Sequence, residues 1–208
     1  MKTLLFAALG AVLLSGASAF ADPPPAAAAP PAPTIIRGTI AQVAAAQVKI
    51  RARDGKLITV ALSPDWSVQV TKPVTLEAIQ SGSFIGTSEM PQANGSGRSL
   101  EVHVFPPGVK MGEGHYGWDL KKGSIMTNGT VGKVLPGAHH AREIDVSYST
   151  GVRHIVVPAN IPIVQITPGT RDMAKPGVGV FLIAVKTPSG GFATNGMAVG
   201  EGGKPPPM

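Results

Sequence analysis

The residues best placed for chemistry lie between Gly112 and Asp119, in the run Gly-Glu-Gly-His-Tyr-Gly-Trp-Asp. Glu113, His115 and Asp119 offer two carboxylates and an imidazole, a donor set suited to a divalent metal such as Zn, Cu or Ni. Tyr116 and Trp118 each combine an apolar ring with a polar edge, so they can stack on a sugar or anchor a partner protein. The glycines let this backbone approach another surface closely. A plainer role competes: Trp118 plugs a gap between two folded units, and Asp119 bonds loop amides. A glycine-rich loop offers no evident rigidity, so Glu113 and His115 make a poor acid–base pair.

A second set of histidines is scattered. His139 and His140 lie in a turn ahead of a strand carrying Glu143 and Asp145, and His154 lies beyond it. A two-residue Thr150-Gly151 loop would set Ser147 opposite His154 on an outward face. Together with His115, these side chains suit a metal-binding or metal-delivery accessory. None has the helical spacing of a strong zinc site, and a solvated polar face is the simpler account.

The elements that must position these residues are strands. Val48, Ile50 and Ala52 alternate with Lys49, Arg51 and Arg53, and Ile58, Val60 and Leu62 follow the turn at Asp54-Gly55. The apolar sets share a face only if Ile50 opposes Ile58 and Val48 opposes Val60. That register leaves a three-residue loop, Arg53-Asp54-Gly55, with Gly55 left-handed. Pro64 is expected to end the strand, and Ser67 to Thr71 to form another. Leu76 to Ile79 reads as a helical turn stopped by Gly82. Phe84 to Met90 and Leu100 to Phe105 close the unit, with Val102 and Val104 on one face and Glu101 and His103 on the other.

The pattern then starts again. Arg37-Gly38-Thr39-Ile40 is matched by Asn128-Gly129-Thr130-Val131, Val48-Lys49-Ile50 by Ile144-Asp145-Val146, and Leu76 to Gly82 by Arg171 to Gly177. This predicts a tandem duplication. The expected fold class is all-β: two tandem small antiparallel β-barrel (OB-like) units of about six strands each, with one short helical turn, joined by a Gly-rich loop. The units span 34–105 and 124–203, the connector 106–123, and the tail 204–208. Lys49 and Arg51 in one copy correspond to Asp145 and Ser147 in the other, so the two faces are candidates to meet.

These strings, with Gly-Glu-Gly-His-x-x-Trp-Asp-Leu and Met-Thr-Asn-Gly-Thr-Val, resemble a bacterial family of unknown function: exported proteins with tandem small β-barrels and a Pro-rich N-terminus. The resemblance covers roughly residues 34–200. It implies the fold and the compartment and carries over no catalytic residue.

The N-terminus points the same way. Lys2 precedes an apolar run from Leu4 to Leu14 and an Ala-x-Ala pattern ending at Ala21. Residues 1–21 read as a signal peptide cleaved near Ala21, with Ala19 the rival site. Residues 22–33 read as a Pro/Ala-rich linker. The expected location is the periplasm or outside the cell, without a transmembrane anchor in the mature chain.

Composition narrows function further. The 208 residues contain no Cys, so thiolate catalysis and Cys metal sites are excluded. A formal charge of +6 allows anionic partners, but the basic residues are dispersed. Phe84, Phe105, Phe181 and Phe192 read as core, leaving no aromatic platform, so no nucleic-acid partner is expected. No Walker loop, serine elbow or dinucleotide motif is present. The expectation is a non-catalytic binding or scaffold protein for an unknown protein or envelope component, without a cofactor unless a divalent metal binds.

Overall fold

The computed structural model describes residues 33–208. The expected signal peptide, and the linker up to residue 32, lie outside the described residues. Twelve strands are joined in one hydrogen-bonded sheet. They are β1 (Thr34–Ala44), β2 (Gln47–Ala52), β3 (Leu57–Pro73), β4 (Phe84–Pro91), β5 (Gly97–Val104), β6 (Gly114–Gly117), β7 (Ile125–Pro136), β8 (Arg142–Tyr148), β9 (Gly151–Val157), β10 (Ile163–Gly169), β11 (Gly179–Lys186) and β12 (Phe192–Gly200). The described helices are short 3-10 turns, including Leu76–Ala78 and Arg171–Met173 at the two expected positions. The chain is all-β, built on a small closed five-strand barrel with further strands around it.

Closure runs β1–β2–β3–β12–β11 and back to β1. The β2–β3 register is the expected one: Ile50 faces Ile58 and Val48 faces Val60. Gly55 has φ of 84°, the left-handed residue the three-residue loop requires. Val48, Ile50 and Val60 are fully buried with Ile40, Leu182 and Trp66. Each such Val or Ile contributes about 1.5–3 kcal/mol of hydrophobic burial.

Three expectations about the strands change. First, β3 runs unbroken through Pro64 for 17 residues. The β12 register shifts between the partners Leu62 and Ser67, so Pro64 sits where no ladder bond is demanded of it. Second, the first sequence unit does not close on itself. Strands β11 and β12, from the second unit, complete the β1–β2–β3 barrel. Strands β4 and β5, from the first, pair with β7 and β9. Third, the β8–β9 loop is Ser149-Thr150, which pairs Tyr148 with Gly151 and Asp145 with His154. Ser147 therefore faces Val152, not His154.

The strands β4, β5, β7, β8 and β9 surround a second apolar cluster, with Ile85, Val102, Ile144, Val146 and Ile155. The two clusters share a stitch, β10, which pairs antiparallel with β3 and parallel with β5. A third cluster fills the space outside both. It holds Phe84, Phe105 and Phe181, which the sequence reads as core and which lie outside the two strand-enclosed clusters. Phe192 packs against the first cluster.

Matched positions keep matched surroundings. A Cβ on Gly38 would lie 2.2 Å from Arg51 O and 2.9 Å from Ile50 Cγ2; on Gly129 it would lie 2.3 Å from Ser147 O and 2.9 Å from Val146 Cγ1. The basic and acidic faces do not meet among the described residues: Asp145 is paired with His154, and Arg51 reaches Gly55 O.

Candidate functional site

A cavity of about 290 Å3 opens where β3, β5, β7, β10, β11 and β12 converge beneath the connector. Its rings are Phe105, Tyr116, Trp118 and Phe181, and its sulfurs come from Met111, Met126, Met197 and Met208. Four of the chain's seven methionines therefore line one space. Thioether side chains adapt their shape to a guest and contact aromatic edges favourably.

The strand pattern explains the walls. On β5, Val102 and Val104 point into the second apolar cluster, so Glu101 and His103 point the other way. A polar face opposite an apolar one is ordinarily solvated. In the fold it is buried. Glu101 is 1% exposed and His103 5%. Glu101 accepts a hydrogen bond from Ser88 N at 2.7 Å and faces His103 Nδ1 at 3.0 Å. Beside them, Asn128 Nδ2 donates to Gly112 O at 2.8 Å and Tyr116 Oη at 3.0 Å. Its Oδ1 is buried without a partner. Gly86 makes room for this group: a Cβ there would lie 2.1 Å from His103 Nε2 and 2.2 Å from Asn128 Oδ1.

The connector contributes through β6, which pairs with β7 and alternates its side chains. Tyr116 and Trp118 turn toward the cavity, edge to face at 6.2 Å. Tyr116 is 39% exposed, and burial of its ring raises its phenol above the usual 10.0. Trp118 is half-buried, packed against Phe181 at 6.3 Å and under the Arg37 guanidinium at 5.7 Å. Its Nε1 is buried without a partner. Trp118 is thus both a seam between strands and a wall of the cavity.

The other named residues go elsewhere. His115 turns away from the cavity, 2.8 Å from Thr127 Oγ1 and stacked on Tyr148 at 5.7 Å. Asp119 pairs with Arg37 at 2.8 Å. Glu113 is exposed. His139 and His140 form a turn with φ of 54° and 60°. His154 lies between Asp145, at 2.8 Å, and Glu143, at 3.7 Å. Among the described residues, no group of three or more His, Asp or Glu is arranged to hold a metal ion.

Of the residues singled out in the sequence, Tyr116 and Trp118 line the cavity; His103 and Asn128, not singled out, line it too, with Glu101 beside His103. The available signal was a polar residue opposite a glycine of the neighbouring strand, His103 against Gly86. Alternation alone reads that face as solvated.

A second buried polar group sits under β6. Glu89 is fully buried and bonded by Arg153 Nε at 2.7 Å, while the two Arg153 Nη atoms hold Gly95 O and Ser96 O. Gly97 leaves room for Glu89 Oε2, and a Cβ would collide with it.

No helix among the described residues is long and apolar enough to cross a membrane. Comparison with protein-family models, curated proteins and solved structures finds no match.

Proposed function

We propose that this chain is an exported, non-catalytic binding protein that takes a small, largely apolar molecule into the cavity between its strand clusters. The observation that carries the reading is the composition of the cavity: four aromatic rings and four thioethers around a short polar end. Such a space is the usual form of a small-molecule site. Export is supported by the apolar run and Ala-x-Ala pattern at the N-terminus. The connector acts here as a wall of the site.

The finer reading of the fold belongs with this proposal. We read the chain as a duplicated OB-like unit whose last two strands have changed places between copies. The matched surroundings of Gly38 and Gly129 support it, as does the parallel pairing of β12 with β3 and of β5 with β9.

The test uses n-propylbenzene and the fluorescence of Trp118 in a Trp66→Phe background. Saturable change in emission is expected, and Ala198→Leu, which fills the cavity from β12, should abolish it. An unchanged spectrum up to the solubility limit rejects the reading.

A second reading keeps the cavity and changes the guest. The thioethers of Met111, Met126, Met197 and Met208, with the His103 imidazole, form a donor set for a soft cation such as Cu(I). It replaces the surface histidines, of which none lines the cavity. Competition with a colorimetric Cu(I) chelator tests it. Copper retained by the wild type and lost from Met126→Leu/Met197→Leu supports this reading, and no retention rejects it.

A further inference from the structure

Resting on the small-molecule reading, we infer that residues 204–208 are a strap that acts as a built-in guest and yields to a carboxylate with an unbranched apolar chain. Little holds the strap in place. It follows β12 through Gly202 and Gly203, both left-handed, with φ of 66° and 80°. Three of its five residues are prolines, which have no N–H to give. Residues 204–208 make no backbone–backbone hydrogen bond among the described residues. Yet Pro206 is buried, and Met208 is 4% exposed. The strap has a berth: a Cβ on Gly179 would collide with Pro205, and one on Gly200 with Lys204 O. A segment buried without ladder bonds leaves its seat at low cost.

What fills the berth has the form of a guest. Met208 packs its unbranched thioether in the cluster of Phe84, Phe105, Ile166 and Phe181 and lines the cavity. Its carbonyl oxygen accepts from Arg37 Nε at 2.6 Å. An oxygen on a guanidinium and a straight apolar chain among rings are the head and tail of an amphiphile. The head position is only half used. Nε and Nη2 present hydrogens on one side of the guanidinium, a fork that grips both oxygens of a carboxylate. Met208 O meets Nε, and Nη2 is buried without a partner. A carboxylate entering where the strap lies brings a second oxygen for Nη2. Arginine stays charged at any working pH, so this end attracts an anion. Asp119 shares the guanidinium through Nη1, but its side chain is 55% exposed and screened by water. A second cation, Lys110, lies 6.0 Å from the Phe84 ring of the same cluster. Met208 touches both Arg37 and the cavity, so its departure joins them.

The probes are octanoate, 1-octanol and n-propylbenzene, titrated at neutral pH by calorimetry. n-Propylbenzene has no polar head and reads the cavity alone. Octanoate should bind about tenfold or more tighter than 1-octanol, the scale of one hydrogen bond to a charged group. Arg37→Gln should bring the two to within about threefold of each other. Met208→Ala removes the competing side chain and should tighten octanoate about tenfold, the scale of burying one methionine. Oxidation by dilute hydrogen peroxide, read by mass spectrometry, reports on the unaltered chain. Met111 is exposed and should react first, while the buried Met208 reacts slowly. Saturating octanoate should raise the Met208 rate toward that of Met111. Equal affinity of the wild type for octanoate and 1-octanol overturns the inference, as does a preference for octanoate kept in Arg37→Gln. Met208 oxidation unchanged or slowed by octanoate overturns it too, as does octanoate binding no tighter to Met208→Ala. In each case n-propylbenzene binding would leave the cavity reading standing. Binding of none of the three overturns both.

Discussion

Arg37 on β1 and Asp119 in the connector are joined at 2.8 Å, and the two ends of this bridge live in different surroundings. The Arg37 side chain is 11% exposed and Asp119 55%. The guanidinium also lies 5.4 Å from the Phe181 ring and donates through Nε to Met208 O at 2.6 Å. Removing the two partners should therefore have unequal effects. Arg37→Ala strips packing from Trp118 and Phe181 and should cost about 2–3 kcal/mol. Asp119→Ala removes a solvated partner and should cost under about 1 kcal/mol. Equilibrium urea unfolding separates the two, and equal losses would contradict this division.

The Glu89–Arg153 pair should behave in the opposite way, because both partners are needed. Arg153→Ala leaves a fully buried carboxylate without its cation and should cost about 3–5 kcal/mol. Joining Glu89→Gln to Arg153→Met should recover at least half of that loss, since no lone charge remains. A double variant as unstable as Arg153→Ala alone would argue that Arg153 acts through its bonds to Gly95 O and Ser96 O instead.

Glycine substitutions probe the matched positions. Gly38→Ala and Gly129→Ala each press a Cβ onto a backbone carbonyl of the neighbouring strand, so each should cost about 1–3 kcal/mol. Gly132→Ala is the control. Its Cβ would meet nothing closer than Asp145 O at 3.6 Å, and the change should be neutral or stabilising by up to about 1 kcal/mol. Thermal melts of the three variants check the ranking.

Alkaline titration isolates Tyr116. Burial holds its phenol protonated above 10.0, so in the window from 10.0 to the raised value the unfolded chain releases a proton that the folded chain keeps. Stability should be unaffected below that window and fall as pH rises through it. Tyr116→Phe should flatten this dependence, and the phenolate absorbance that Tyr116 contributes above that window should vanish with it.

The parts legible in the sequence were those set by neighbours along the chain. Ile50 opposite Ile58, Gly55 at the turn and the 3-10 turns before β4 and β11 all follow from local spacing. What failed was decided by distant strands. Nothing near Glu101 or His103 announces that their face of β5 will be buried. Pro64 reads as a terminator until β12 supplies a register shift beside it. The His154 partner turned on a one-residue slip in a hairpin whose loop, Ser149-Thr150, has no glycine to mark its position. Tyr116 and Trp118 stand out in the sequence because two large rings on a glycine-rich run are conspicuous without any partner.

The pairing of β11 and β12 with β1 and β3, and of β4 and β5 with β7 and β9, also bears on the order of assembly. Strands β4, β5, β7, β8 and β9 are all present once synthesis has passed Val157. The β1–β2–β3 meander, made earlier, has no lid until β11 and β12 emerge, more than a hundred residues after Pro73. Its apolar face must wait open, or be held by something else, while the rest of the chain is threaded out. Closing so distant a pair is slow and exposes the waiting strands to wrong partners. The earliest strands to appear are the last to be sealed, and any agent that guards this chain during synthesis has Val48, Ile50 and Val60 to protect.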